Sequence, residues 1–410
     1  MRPIPIRNVP FWLDRTPKSR RPAFPRFRGN VNTSVVIVGG GLTGCACAWS
    51  FAAAGVKVVL LEAEAIGGGA TAGSLGFVRE DFDASFRETA SAHGLRAARS
   101  LWQAMRRASL DFPAALRRLG VKCDLVPSDL LTFAHRDPET ARLLQREYQS
   151  RRDAGLDHSW LKPAAVTREA TIESGGAIRT RGFSFDPYRA CLGLASASLA
   201  RGASIYERSQ VRRVRAGRKH VEITTAGGTL HAEAVLVATS APLADLRALR
   251  RHVKGLNSYA VVTESIPAAV RRELGKRSSA LGDVDAPPHQ LRWLKDDRAL
   301  FSGADQPVQA DRARGKALVQ RTGQLMYELS VLYPAISGLQ PEWAWDSTHY
   351  ETVDRLPFVG LHRNFPRHLF AMGASRHGAA FAWLAARILL RQYQGEAAKG
   401  DDLFGFSRVL

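Results

Sequence analysis

The first sustained apolar run, "SVVIVGGGLTG" at 34–44, leads four β-branched residues, Val35 to Val38, into a cluster of glycines. A run this short and this apolar predicts a strand buried on both faces. From about Leu42 to Ala54 the chain is rich in Ala and Cys and stops at Gly55, which predicts a helix lying close on a sheet. "VKVVLLEAE" then supplies a second strand ending at Glu62. Further on, Leu95, Ala98, Trp102, Met105, Ser109, Phe112, Leu116 and Leu119 recur at alternating spacings of three and four, the pattern of an amphipathic helix, with a bend available at Pro113. Between about 245 and 340 short strands alternate ("SYAVVTE", "HQLRWLK", "RALFSGA") before a helix from about Lys316 to Leu332. Near the end, Leu369 to Met372 predicts a strand and "GASRHG" a turn. Phe381, Leu384, Ala385, Ile388 and Leu389 then put an apolar stripe on one face of a helix.

The first turn carries chemistry. Gly39, Gly41 and Gly44 fit G-x-G-x-x-G: the first permits the tight turn, the second lets a pyrophosphate approach the backbone, and the third lets the helix lie against the strand. Glu62, at the end of the second strand, can accept both hydroxyls of an adenosine ribose and would repel a 2′-phosphate. The segment after Glu62 decides which dinucleotide. "AIGGGATAGSLGFV", 65–78, is a run of small residues that predicts no helix. Its N–H groups and the hydroxyls of Thr71 and Ser74 could wrap a phosphate and a large planar ring, which suits a cofactor that stays bound.

With these residues in view, the chain resembles the FAD-dependent oxidoreductases of the D-amino acid oxidase type, the group of glycine oxidase, sarcosine oxidase and the gamma-glutamylputrescine oxidase-like enzymes. The likeness runs in order over about 35 to 400, through "SFDPYRACLGLASASLARGASIYERSQVRRV", "AEAVLVATSA", "LYPAISGLQPEWAWDSTHYETVDRLPFVG" and "HLFAMGASRHGAAFAWLAARIL". It implies an α/β fold: an FAD-binding Rossmann-like three-layer domain with an interleaved α+β substrate domain built on a mostly antiparallel sheet. The boundaries expected are a basic, Pro-rich arm at 1–30, an FAD-binding domain from 31–80, 181–245 and 341–410, and a substrate domain from 81–180 and 246–340. FAD neighbours are expected at Gly39, Gly41, Leu42, Thr43 and Gly44, then at Glu62 and Ala63. In the small-residue loop they are Gly69, Ala70, Thr71 and Ser74, where the family often has Arg and Asn in place of Gly73 and Ser74. Val211 should pass the adenine and Ala238 should end the strand leading to the flavin. Gly373, Ala374, His377, Gly378 and Ala379 should bring a helix amino end to the flavin edge that gathers negative charge.

The implied reaction is oxidation of a primary or secondary amine or an amino acid by hydride transfer to flavin N5, with hydrolysis of the imine. A cation is needed to hold a substrate carboxylate, and Arg292 in "PHQLRWLKDD" is the candidate, with His289, Tyr259 and His377 as further catalytic candidates. No cysteine lies near "WAWDSTHYETVD", where sarcosine oxidase-like members attach flavin, so noncovalent FAD is expected. Those members also carry a lysine near N5, at about the position of Phe301. Its absence leaves the electron acceptor open between O2 and a quinone or other carrier.

Composition bounds the remainder. The 410 residues carry a formal charge of +20, with 58 Lys and Arg. That charge and "VRRVRAGRKH" (211–220) motivate a second reading, modification of an RNA-borne amine, although a solvated face is the simpler account and nucleic acid is not the expected partner. A third reading is an electron-relay flavoprotein whose substrate pocket has closed. Four cysteines without a C-x-x-C pair or zinc-like His spacing predict neither disulfides nor metal. No stretch predicts a membrane span, a peripheral membrane contact being left open, and the expected location is cytoplasmic.

Overall fold

The protein is described by a computed structural model over residues 5–243, 245–376 and 378–409. After a one-turn helix, α1 (Phe11–Asp14), the chain enters β1 (Gly29–Val38). This strand pairs in parallel with β2 (Val58–Leu61) on one side and with β3 (Gly228–Ser240) on the other. Ser204–Tyr206 adds a parallel strand beyond β2, and the hairpin Val211–Ala216/Val221–Thr225 closes the edge beyond β3. Side chains alternate across a strand. Accordingly Val35 and Ile37 face the helices, Val36 and Val38 meet Phe27, Val221 and Ile223, and all four are buried.

The helices on the first face are α2 (Leu42–Ala53), α5 (Pro187–Leu199) and α7 (Gly378–Gln394), and their small residues allow close approach. A Cβ at Gly44 would lie inside the van der Waals shell of the Gly39 carbonyl, so only glycine brings α2 this near to β1. The small-residue loop holds one turn of helix, α3 (Ala70–Gly73), where irregular chain was expected. The N–H groups of Ala72 and Gly73 find the carbonyls of Gly67 and Gly69, and contacts from outside, the Leu42 N–H to Thr71 and the Trp345 indole to Gly73, hold a turn too short to stand alone. The predicted amphipathic helix is α4 (Leu95–Arg118), continuous through Pro113, with Leu95 exposed at its start and Leu119 just past its end. It packs on α7 rather than on the second sheet: Phe112 meets the rings of Phe185 and Trp383 edge-on or tilted. α5 (Pro187–Leu199) completes this layer beside α2.

The second sheet has eight strands, led by β4 (Val253–Thr263), β5 (Gln290–Trp293), β6 (Ala299–Pro307) and β7 (Pro341–Thr352), in the order β7-β4-β6-β5. It continues through Ala280–Asp283, Leu130–Ala134, Gly176–Thr180 and Ser159–Leu161. Every pairing but that of Ala280–Asp283 with Leu130–Ala134 is antiparallel. Segment 81–180 therefore divides between the helical layer of the first sheet and the strands of the second, and β7 belongs to the second sheet as well. One face of this sheet packs on α6 (Asp311–Leu332) through Tyr259, Val261, Leu291, Phe301, Leu325 and Leu329. The chain then returns to the first sheet as β8 (Phe365–Met372), parallel to β3, and enters α7 (Gly378–Gln394). Among the described residues no helix is long and apolar enough to cross a membrane.

Phe112 ties α4 to α7 and to the segment that leads into α5. Phe112→Ala is expected to cost about 3–5 kcal/mol of stability, read as a lowered midpoint in urea denaturation.

Candidate active site

The two sheets enclose a cavity of about 530 Å³, within the range of roughly 300–1,000 Å³ typical of ligand sites. Two helix amino ends border it, Leu42 and Thr43 of α2 and Gly378 and Ala379 of α7. Helix amino ends carry unpaired N–H donors and partial positive charge, so this cavity is built for an anionic ligand at more than one point.

At the α2 end, Gly39 and Gly41 border the cavity, while Gly44 lies beneath the turn against Gly39. The Glu62 carboxylate accepts from the N–H of Gly40 at 2.6 Å and from that of Glu64 at 2.9 Å, which fixes it at the cavity edge with lone pairs to spare for hydroxyls. Thr71 Oγ1 accepts from the Leu42 N–H at 2.9 Å, so its own proton is free for a phosphate oxygen. Ala63, Gly69, Ala70, Ser74, Val211, Ala238 and Ala374 also line the cavity. Gly373 does not, but its φ of +70° turns the chain from β8 toward α7. His377 lies outside the described residues. A Cβ at Gly73 would strike the Ser347 side chain, which leaves no room there for the arginine frequent in the family.

The expected catalytic residues fare unevenly. Tyr259 borders the cavity, but its ring packs in the α6 core and its hydroxyl accepts a hydrogen bond from Gln306 there. Arg292 does not line it. On β5 it shares a face with Gln290, which does, but its guanidinium passes into the protein, where Nη1 donates to the carbonyls of Leu75 (2.6 Å), Gly76 (3.2 Å) and Phe185 (2.7 Å). It is buried, and desolvation lowers its pKa to about 10 against the opposing pull of Asp186 and Asp124. A group so enclosed is not presented to a substrate carboxylate. His289 points to the other face, stacked on Phe301, with Nδ1 2.7 Å from Asp283 and Nε2 3.1 Å from Glu328. Burial opposes its charge, yet the Asp283 hydrogen bond and the charges of Asp283 and Glu328 raise its pKa. Asp283 in turn meets His135, which lies near Asp285, in a network at the carboxyl ends of the strands Ala280–Asp283 and Leu130–Ala134. Phe301 is likewise on the α6 side, and the strand neighbours that do border the cavity are Ser302 and Gln290, a register pair.

A polar wall on the second sheet escapes sequence reasoning. Arg376, in the turn before α7, lines the cavity and makes an ion pair with Asp305 of β6. Asp305 also accepts from Ser258 Oγ at 2.7 Å, and Ser258 lies 3.3 Å from His349 Nδ1. His349 Nε2 is 3.5 Å from Asp305, so one buried carboxylate organises three cavity-facing groups. A signal for it exists in "GASRHG", where a cation stands between a strand and a cofactor-facing helix.

A family model described as FAD dependent oxidoreductase matches residues 34–392. The chain belongs to the FAD-dependent oxidoreductases. Among curated relatives of this family, gamma-glutamylputrescine oxidoreductase of Escherichia coli is 26% identical, over 92% of this chain and 87% of its own length. Glycine oxidase of Geobacillus kaustophilus is 28% identical, over 87% and 91%. The crystal structure of that glycine oxidase superposes with a TM-score of 0.77 at 21% identity, over 93% of this chain and all of the other. L-Proline dehydrogenase from P. horikoshii gives 0.76 at 17% identity, over 92% and 97%. FAD fits the groups present: two helix amino ends, the Glu62 carboxylate with lone pairs to spare for hydroxyls, the Thr71 hydroxyl, and glycines where a side chain would collide.

Gly44→Ala is expected to push α2 off β1, and the purified oxidoreductase would then lose most of its flavin absorbance per mole of protein. Asp186, the N-cap of α5, has its pKa raised to about 6 by burial, from an ordinary 3.8. The folded chain holds this proton more tightly than the unfolded chain, so the stability it confers is complete below 3.8 and is lost as pH rises through about 6. Asp186→Asn, which can still cap the helix, is expected to flatten that segment of a plot of Tm against pH.

Proposed function

We propose that this oxidoreductase oxidises an amino acid, with Arg376 holding the substrate carboxylate. The observation that carries this reading is the Asp305-anchored guanidinium of Arg376 in the cavity wall, the only arginine or lysine among the described lining residues. A guanidinium has five donors, so pairing with Asp305, and with Asp83 at 4.0 Å, fixes its orientation and leaves donors for a substrate carboxylate. Ser258 and His349 flank it and can orient the same end of the substrate. Gln290 and Ser302 close the wall and can exclude water from the reacting carbon. The relatives named for glycine, proline and gamma-glutamylputrescine support an amine nitrogen as the group oxidised.

FAD, when bound, supplies the acceptor for the hydride leaving the carbon that bears the amine. The residues must then do three things. Arg376 fixes the substrate, so that a weak encounter becomes an oriented one. The wall must receive the amine in its neutral form, since an ammonium has no lone pair to assist hydride departure. The α7 amino end must offset negative charge that develops at its edge of the cavity. The imine released is hydrolysed in water, and peroxide measured during turnover would separate O2 from a carrier such as a quinone as the electron acceptor.

An anaerobic screen of amino acids and of amines lacking a carboxylate tests the proposal: at least one amino acid should bleach the flavin. Arg376→Ala should raise KM for that amino acid about 10- to 100-fold, the loss of one charge-assisted contact, and change KM little for an amine without a carboxylate. Equal effects on both classes would remove Arg376 from this role.

A further inference from the structure

Four consecutive carbonyls of the cofactor-facing loop are each held from outside by a side chain. The Trp345 indole N–H, from β7, donates to Gly73 at 3.0 Å, and the Trp12 indole N–H, from α1, donates to Ser74 at 2.8 Å. Arg292, from β5, takes Leu75 and Gly76. Residues 73–76 all line the cavity, so these contacts act on the outer side of its wall. The donors also support each other, because the Arg292 guanidinium lies 4.7 Å over the Trp12 ring.

The arm that delivers Trp12 is firmly seated. Arg7 bridges the edge of β7 through backbone bonds with Glu342 (2.9 Å) and Ala344 (3.1 Å). Asp14 accepts from the Trp343 indole at 3.0 Å, and Phe11 packs edge-on against the Trp343 ring. Further along, Arg21 donates to the carbonyls of Leu13 and Thr16 and stands over Tyr188, the ring that abuts Gly67 at the start of the same loop. Arg292 has no carboxylate within ion-pairing distance among the described residues, and its Nε is buried without a partner. A buried cation in such a place is destabilising unless its remaining donors are well used, and here they are used on the loop.

We propose that α1, with Arg292 and Trp345, is an intramolecular clamp that holds loop 73–76 in its FAD-binding shape, Trp12 and Arg292 being positioning residues for the cofactor. A loop with glycines at 67, 68, 69, 73 and 76 would otherwise lose much backbone freedom when the cofactor binds. Ordering it beforehand lowers that cost and slows release. The clamp therefore governs how tightly FAD is kept, and this role does not depend on which substrate is oxidised.

The test measures FAD retention rather than turnover. Trp12→Phe keeps a ring beneath Arg292 and removes the indole donor; Arg292→Met removes three hydrogen bonds at similar length. The Kd for FAD, from recovery of flavin fluorescence on dissociation, should rise about 10-fold or more in each. Amide hydrogen exchange at 73–76 in the apoprotein should quicken. Arg292→Lys should recover part of the affinity, since an ammonium still donates to carbonyls. An unchanged Kd in Trp12→Phe would overturn the proposal, as would a general fall in apoprotein Tm with unaltered exchange at 73–76. Should Arg292→Met fail to fold, Trp12→Phe and Trp345→Phe decide the matter by the same Kd.

Discussion

The contact of Gly44 with the carbonyl of Gly39 sets the distance between the first helix and the first sheet, and the cofactor site depends on that distance. With any side chain at 44, α2 would stand away from β1 and its amino end would leave the cavity. Because α2 is filled with small residues, α7 can pack beside it, and the second helix amino end reaches the same cavity from the far end of the chain. Two helix amino ends thus converge on one cavity through backbone proximity. An α/β sheet offers such a place where its helices begin.

The second sheet contributes the opposite wall by a different device. Its strands alternate between the α6 core and the cavity, so adjacent residues have unrelated fates: Gln290 and Ser302 border the cavity, while Leu291 and Phe301 are core. Asp305 concentrates the polarity of this wall. One carboxylate with few exposed atoms orients a guanidinium, a hydroxyl and an imidazole from three segments, which is an efficient way to place charge beside an apolar ring system.

Arg292 and Arg376 show how little residue type alone decides. Both are arginines near the cavity and both are largely buried. One is consumed by backbone carbonyls of the cofactor loop and the other is held in the wall by carboxylates. The difference lies in what each meets along its length: Trp12 and three carbonyls for Arg292, the carboxylates of Asp305 and Asp83 for Arg376. Buried cations need partners, and the partner determines the task.

The sequence by itself determined the nucleotide half of this protein. Strand, glycine turn, helix and the acid that ends the second strand are local in the chain, and their geometry follows from backbone and spacing, so the positions of Gly39, Gly41, Gly44 and Glu62 around the turn were legible without coordinates. The amphipathic helix was equally legible, because its period is a local property, although its packing on α7 was not. Only the tertiary structure decided the substrate wall and the seating of the N-terminal arm. Ser258, Asp305, His349 and Arg376 come from distant segments, and whether a strand residue faces the cavity or the α6 core turns on register. Nothing in the basic, proline-rich composition of the arm announced that Trp12 would reach the carbonyl of Ser74, because a hydrogen bond across 62 residues is a consequence of packing, which local pattern does not encode.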